Sequence, residues 1–362
     1  MPGKVRVLVV DDSIVMRRML TMSLDSDPDF DVVATACDGR EGVAAVASEN
    51  PDVVIMDVEM PVMDGIEATA KIRATKPDLP IVMFSSVTNS GAQSTFRALS
   101  AGASDYAPKP SGVGHVTQAI QIIRDELLAK VKGWGRRHQR LKSASPARTS
   151  QSESSRIRPR SIRITPFAEI IAIGVSTGGP DALSNLLPNF PANLSIPVVI
   201  VQHMPPVFTG LLAKRLDSVC PLPVNEAKDG DSLASGGVWV APGGSHLVAC
   251  REGADIRLRL NDGPLVQSCK PSVDVMFRSV ADCFGSRTLA AVLTGMGADG
   301  CDGARAIRDR GGKVLIQDQT TSVVWGMPGA VSKANLADGE FPLQEMGKEL
   351  AGLARTRSRV LV

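Results

Sequence analysis

Two small sets of residues in this chain have the types and placement to do chemistry. The first is Asp11, Asp12, Asp57, Ser85 and Lys109, each at the end of, or just after, a short run rich in apolar residues: "VRVLVV", "DVVIMD", "PIVMFSS" and "ASDYAPKP". If these runs are parallel strands, their carboxyl ends form one rim, where ligands of open α/β sheets bind. Three carboxylates on one rim repel each other unless a cation sits among them, and all-oxygen ligation with room for water suits Mg²⁺. An aspartate beside that cation is a phosphoryl acceptor, and a lysine can hold a phosphate oxygen. One such acid alone would read as a helix cap.

The second set centres on Gly174-x-Ser176-x-Gly178 in "IAIGVSTGGP". Small residues around a serine let it sit on a sharp turn after a strand. The N–H groups at the start of the next helix suit an oxyanion or a phosphate equally. A nucleotide-phosphate loop would carry Gly-Lys-Ser/Thr, whereas Pro180-Asp181 follows here. A serine nucleophile needs a base, and the chain has four histidines, His115, His138, His203 and His246. His203 follows "VVIVQ" and shares the Ser176 rim if those strands are neighbours. His246 follows "APGG" and is the alternative base, or a residue lining the cleft. Asp299, in the loop after "LAAVLT", could orient the imidazole. The same loop reads Gly295-x-Gly297-x-x-Gly300 and precedes "KVLIQD" with Asp318, close to a dinucleotide fingerprint. A nicotinamide-dependent oxidoreductase is therefore a competing reading, although Asp299 would face the pyrophosphate unless it turned away.

These residues need strands and helices to carry them. A chain of 362 residues exceeds one ordinary core. The pattern predicts a first α/β domain over 1–132, a linker over 133–165 and a second α/β domain over 166–355. Five βα units in the first imply a doubly wound parallel sheet covered on both faces. In its first helix Val15, Met19 and Met22 fall at i, i+4 and i+7, which predicts one apolar stripe toward the sheet. In the second domain "GVWVAPGGSHLVACREGADIRLRL" predicts antiparallel hairpins inserted in a parallel architecture. The linker holds nine basic residues against Glu153 and lacks aromatics for base stacking apart from Trp134, so it reads as a solvated spacer rather than a nucleic-acid arm. Net charge is only +2, and six cysteines show no C-x-x-C pair, as expected for reduced thiols. No run is long enough to span a bilayer, and no basic-then-apolar leader opens the chain. A cytoplasmic protein without membrane insertion is the expectation.

Two resemblances sharpen these readings. "VLVVDDS", "VVIMDVEMPVMDGIEA", "IVMFSS" and "YAPKP" resemble the flavodoxin-like receiver domain of two-component response regulators. That likeness implies phosphorylation at Asp57 and Mg²⁺ held by Asp11, Asp12, Asp57 and the Glu59 carbonyl. It also implies phosphoryl contacts from Ser85 and Lys109, and Tyr106 as the aromatic whose rotation reports the switch. "IGVSTGGPDAL", "VVIVQHMPP", "VWVAPGGSHL", "KPSVDVMFRSVA", "AAVLTGMGADG" and "VVWGMPGAV" resemble the Rossmann-like catalytic domain of chemotaxis protein-glutamate methylesterases. This implies a Ser176, His203, Asp299 triad with backbone oxyanion donors at Met296 and Thr177, and no esterase cofactor. The implied reaction releases methanol from methylated chemotaxis receptors, with deamidation of receptor glutamines as a second activity. A chemotaxis histidine kinase is the implied phosphodonor, and the receiver is expected to cover the Ser176 rim until phosphorylated. Gln319, where an acid is common, and the long basic linker depart from the family pattern.

Overall fold

The apolar runs form strands whose ends carry both sets of residues. The computed structural model describes residues 3–86, 88–110, 116–143, 167–233 and 236–354. The chain divides into two units, Met1–Ser152 and Glu153–Val362.

In the first unit β1 (Val5–Val10), β2 (Phe30–Ala36), β3 (Val53–Asp57), β4 (Ile81–Ser85) and β5 (Asp105–Pro108) make a sheet in the order β2-β1-β3-β4-β5. Every pairing is parallel. The helices are α1 (Ile14–Asp25), α2 (Gly39–Glu49), α3 (Gly65–Thr75), α4 (Asn89–Ser100), α5 (Val116–Ile122) and, after a π-helical turn, α6 (Ala129–Ser143). Ser13, Asp38, Asp64 and Thr88 cap the first four, each side chain accepting a bond from a first-turn N–H.

Two expectations change here. The Val15, Met19, Met22 stripe does not face the sheet: Val15 and Met22 are each 60% exposed, and the buried face carries Leu20, Ser23 and Leu24. Both stripes have helical spacing, and the leucine pair bury the larger apolar area. Residues 133–143, expected as linker, lie instead in α6. Val131 and Trp134 are buried, Arg136 pairs with Asp29 at 2.9 Å, and Asp52 receives Gln139 at 2.7 Å and Lys142 at 3.2 Å. Acids distant in sequence thus hold the start of the basic stretch against the sheet. The remainder of the linker, like His115, lies outside the described residues.

In the second unit β6 (Ile170–Val175), β7 (Val198–Gln202), β8 (Val224–Glu226), β9 (Val238–Val240), β12 (Thr288–Val292), β13 (Lys313–Gln317) and β14 (Gly339–Phe341) form one parallel sheet in the order β14-β13-β12-β6-β7-β9-β8. Among the described residues the one antiparallel strand pair is β10 (His246–Glu252) with β11 (Asp255–Asn261). The "VWV" run expected within the hairpin region instead joins the main sheet between β7 and β8. The helices are α7 (Gly179–Leu186), α8 (Phe208–Asp217), α9 (Val273–Phe284), α10 (Cys301–Asp309), α11 (Met327–Lys333) and α12 (Leu343–Leu353). One core joins the sheet (Ala172, Val199, Ala290), α9 (Met276, Phe277, Val280) and the hairpin (Leu247, Ala249, Leu258). Packing α9 there brings its N-terminus to the carboxyl ends of the strands. Among the described residues no helix is long and apolar enough to cross a membrane.

Candidate active site

Ser176 and His203 each sit one residue past a strand end. Val175 closes β6 opposite Gln202, which closes β7, so the next residue on each strand stands beside the other. Gln202 fixes both: its Nε2 donates to Ser176 O at 2.9 Å and to His203 O at 3.1 Å. A β-carbon on Gly179 would lie 1.7 Å from Gln202 Oε1, so the amide fits only beside a glycine. On the other side the Gly295–Gly297 loop passes Ser176 so closely that a β-carbon at Gly295 would lie 2.8 Å from Ser176 Cβ. Thr294 anchors that loop. Its carbonyl accepts from Ser176 N at 3.0 Å, and its hydroxyl donates to Thr177 O at 2.9 Å and accepts from Val323 N and Val324 N, both at 3.1 Å. Thr177 is buried, and Met296 is 47% exposed at the rim.

The imidazole of His203 lies between two partners. Nε2 is 2.8 Å from Asp299 Oδ2, and Nδ1 is 3.6 Å from Cys269 Sγ. Among the described residues Ser176 makes no hydrogen bond to the ring. Burial pushes the His203 pKa down, but the bonds to Asp299 and Cys269 outweigh it and hold it at about 9. Cys269 is held by a tight turn, with its N–H and C=O both paired to Val266 and with Gln267 and Ser268 at positive φ.

Asp299 is fully enclosed by donors. Oδ1 accepts from Ser272 Oγ (2.8 Å), Asp274 N (2.9 Å) and Gly300 N (3.0 Å), and Oδ2 from Val273 N (2.7 Å) as well as His203. Burial opposes its charge, yet His203 and the backbone donors keep its pKa below the usual carboxylate range. Its neighbour Asp274 is pushed the other way, to about 6, by burial and by the Asp299 charge, even though Gly303 N donates to it. Of the two acids Asp299 holds the charge and Asp274 takes the proton more readily. Gly300 N and Gly303 N also donate to Asp274 Oδ1, at 2.9 and 2.7 Å. The start of α10 is therefore filled by protein carboxylates, which leaves no room for a pyrophosphate and removes the dinucleotide reading. His246 is spent on structure: one ring nitrogen is 2.9 Å from Pro264 O, and the other accepts from Ser272 N at 3.1 Å.

In the first unit the carboxylates of Asp11, Asp12 and Asp57 lie within 4.8 Å of one another. Lys109 Nζ bridges Asp11 Oδ2 at 2.9 Å and Asp57 Oδ2 at 2.7 Å. Burial raises Asp57 to about 6, with the Asp11 charge adding to it and Lys109 opposing. Such a crowded, all-oxygen donor set fits Mg²⁺. Glu59 is exposed just beyond β3. The Ser85 hydroxyl points away from this pocket, bonding Thr95 Oγ1 at 2.5 Å and Gly91 O at 3.3 Å on α4. Tyr106 is buried, with Lys130 Nζ 5.0 Å from its ring centre.

The sequence brings Ser176, His203 and Asp299 to one rim, and Asp11, Asp57 and Lys109 to another. Gln202, Ser272, Asp274 and Cys269 are further parts of the site that the sequence-based reading does not assign. The signal for two of them was present: Ser272-x-Asp274 opens the helical stretch "PSVDVMF".

The CheB methylesterase family model matches residues 171–350, and the response regulator receiver domain model matches residues 7–121. A protein-glutamate methylesterase/protein-glutamine glutaminase of Trichodesmium erythraeum is 46% identical over 96% of this chain and 98% of its own length. One of Nocardioides sp. is 49% identical over 99% of this chain and 97% of its own. The crystal structure of the Thermotoga maritima CheB methylesterase catalytic domain, 40% identical, superposes with a TM-score of 0.51 and covers 52% of this chain and 99% of that one. Relatives matched from end to end, with receiver and esterase joined in one polypeptide, place this chain in the protein-glutamate methylesterase/protein-glutamine glutaminase family.

Proposed function

We propose that this protein hydrolyses glutamate methyl esters on methyl-accepting chemotaxis receptors, and that it deamidates receptor glutamines at the same site. The observation that carries this reading is the His203–Asp299 pair, 2.8 Å apart, beside Ser176 on neighbouring strand ends. Ser176 Oγ attacks the ester carbonyl while His203 takes its proton and passes it to the leaving methanol. Water, activated by the same imidazole, then opens the glutamyl–serine ester and restores the carboxylate and the hydroxyl. With a glutamine substrate, ammonia leaves in place of methanol. Asp299, saturated by donors, orients the ring and stabilises its charged form. Backbone N–H groups of Thr177 and Met296 would hold the oxyanion, each worth about 2.7 to 4 kcal/mol by analogy with a subtilisin donor. In the resting state Nδ1 faces Cys269 rather than Ser176, and the ring favours the imidazolium. Substrate must therefore meet a deprotonated ring turned toward the serine.

The receiver is the regulatory input. A chemotaxis histidine kinase supplies the phosphoryl group, Asp57 accepts it, and phosphorylation raises hydrolysis. Asp11, Asp12, Asp57 and the Glu59 carbonyl would hold Mg²⁺, which when bound offsets the charge of the carboxylates and the incoming phosphoryl group. Lys109, now shared between Asp11 and Asp57, is placed to transfer its ammonium to a phosphoryl oxygen. The Ser85 hydroxyl would have to leave Thr95 to join it. The test is methanol release from methylated receptor membranes, with and without a phosphodonor. Release that survives Ser176→Ala overturns the esterase reading.

A further inference from the structure

The esterase rim has the donor set of a metal site as well as that of a nucleophile. Cys269, His203 and Asp299 offer one sulfur, one nitrogen and one oxygen within 4.8 Å of one another. The sulfur and the facing ring nitrogen are 3.6 Å apart. A tetrahedral Zn²⁺ bound at its usual lengths to a thiolate and an imidazole spaces those two atoms by about 3.5 Å. Zinc-bound histidines also use their second ring nitrogen to bond a carboxylate, which fixes the tautomer and raises ligand basicity. His203 already does this, with Nε2 on Asp299 and the opposite edge toward the thiol. Both first ligands are reachable from solvent: the His203 side chain is 14% exposed and Cys269 is half-buried.

We propose that this site binds a soft divalent cation, with Zn²⁺ as the reference ion, through Cys269 Sγ and His203 Nδ1, with Asp299 as the outer partner of the ring. Binding displaces the thiol proton, and the ring proton when His203 is imidazolium, to solvent and forms the S–Zn and N–Zn bonds. The metal then occupies the nitrogen lone pair that would receive the Ser176 proton. Zn²⁺ is thus a reversible inhibitor. Binding itself does not depend on the esterase reading, whereas inhibition rests on it.

The test adds Co²⁺, a spectroscopic substitute for Zn²⁺, to the full chain and to Cys269→Ser. The parent should show a thiolate-to-cobalt charge-transfer band and tetrahedral ligand-field absorption, both displaced by Zn²⁺. Both proteins carry Cys37→Ser, because the Cys37, Asp38, Glu41 cluster could itself give a thiolate band; in that background Cys269→Ser should lose the charge-transfer band, and the all-oxygen receiver pocket, common to both, gives none. Cys269→His guards against a folding defect: it should keep ligand-field absorption without the charge-transfer band. In parallel, Zn²⁺ should inhibit methanol release by the parent, EDTA should restore it, and Cys269→Ser should need at least about tenfold more Zn²⁺ relative to its own uninhibited rate. Identical cobalt spectra in parent and Cys269→Ser overturn the site. A cobalt band in a chain that releases no methanol even under EDTA would overturn the esterase reading and leave the site standing.

Discussion

Each unit gathers its chemistry at the carboxyl rim of a parallel sheet, and the two treat their carboxylates in opposite ways. Asp299 accepts from five protein donors, so its charge is compensated before any ligand arrives. Asp57 and Asp11 each receive one backbone N–H, from Val58 and Ser13, and must share a single ammonium. Their pKa behaviour follows: Asp299 is depressed, and Asp57 is pushed to about 6. A buried carboxylate with every lone pair met by the protein serves to position a neighbour. One left short of donors awaits a cation or an electrophile.

Five measurements test that contrast. Ser176→Ala should lower kcat for methanol release by about 10⁶, the scale of losing a serine nucleophile. Residual activity near the parent level would make the esterase rim a mere binding site. Asp299→Asn should cost about 10⁴ in kcat, because an amide cannot accept from all five donors or hold the ring. A loss under tenfold would mean that saturation had been mistaken for positioning. On the receiver rim, Asp57→Asn should remove stimulation by a phosphodonor altogether, and stimulation that persists would deny Asp57 its electrophile. The fourth is a pH profile taken with EDTA present. His203 is held at about 9, so its base form grows as pH rises. kcat/KM should climb roughly tenfold per pH unit below that value. Cys269→Ser, which removes one of the raising contacts, should shift the curve toward lower pH, and a profile flat through neutrality would contradict the pairing. The smallest effect belongs to Asp274→Asn. A carboxyl whose folded pKa is raised to about 6 favours the fold when protonated and loses that advantage as pH rises through this value. The asparagine variant should therefore gain in Tm relative to the parent as pH rises from about 4 to about 7, and keep a constant gain above that. No widening would mean that Asp274 is not strained by its neighbour.

Much of this was legible because strand ends are legible. Apolar runs stop at Asp11, Asp57, Val175, Gln202 and Val292, and parallel pairing carries the residues that follow onto common rims. What escaped depends on partners far along the chain. The basic residues after Gly133 look like spacer until Asp29 and Asp52 are seen to receive them. The buried stripe of α1 is not readable from spacing because two helical phases compete, and only packing decides between them. Asp274 was hidden for the same reason, since its role depends on the α10 N-terminus arriving from another strand. The antiparallel region is shorter than the sequence predicts because a three-residue strand between two parallel neighbours carries no local mark.

The contact between Gly179 and Gln202 has a consequence for how this enzyme can drift in sequence. Any side chain at 179 would collide with the amide, and a shorter residue at 202 would avoid the collision only by releasing the tether on Ser176 and His203. A side chain at 179 therefore has to move the Gln202 amide off its two carbonyl acceptors, and a shorter residue at 202 removes the same tether. The two positions are thus coupled in mutational space, whereas the side chain of exposed Met296 is free to vary without touching that tether.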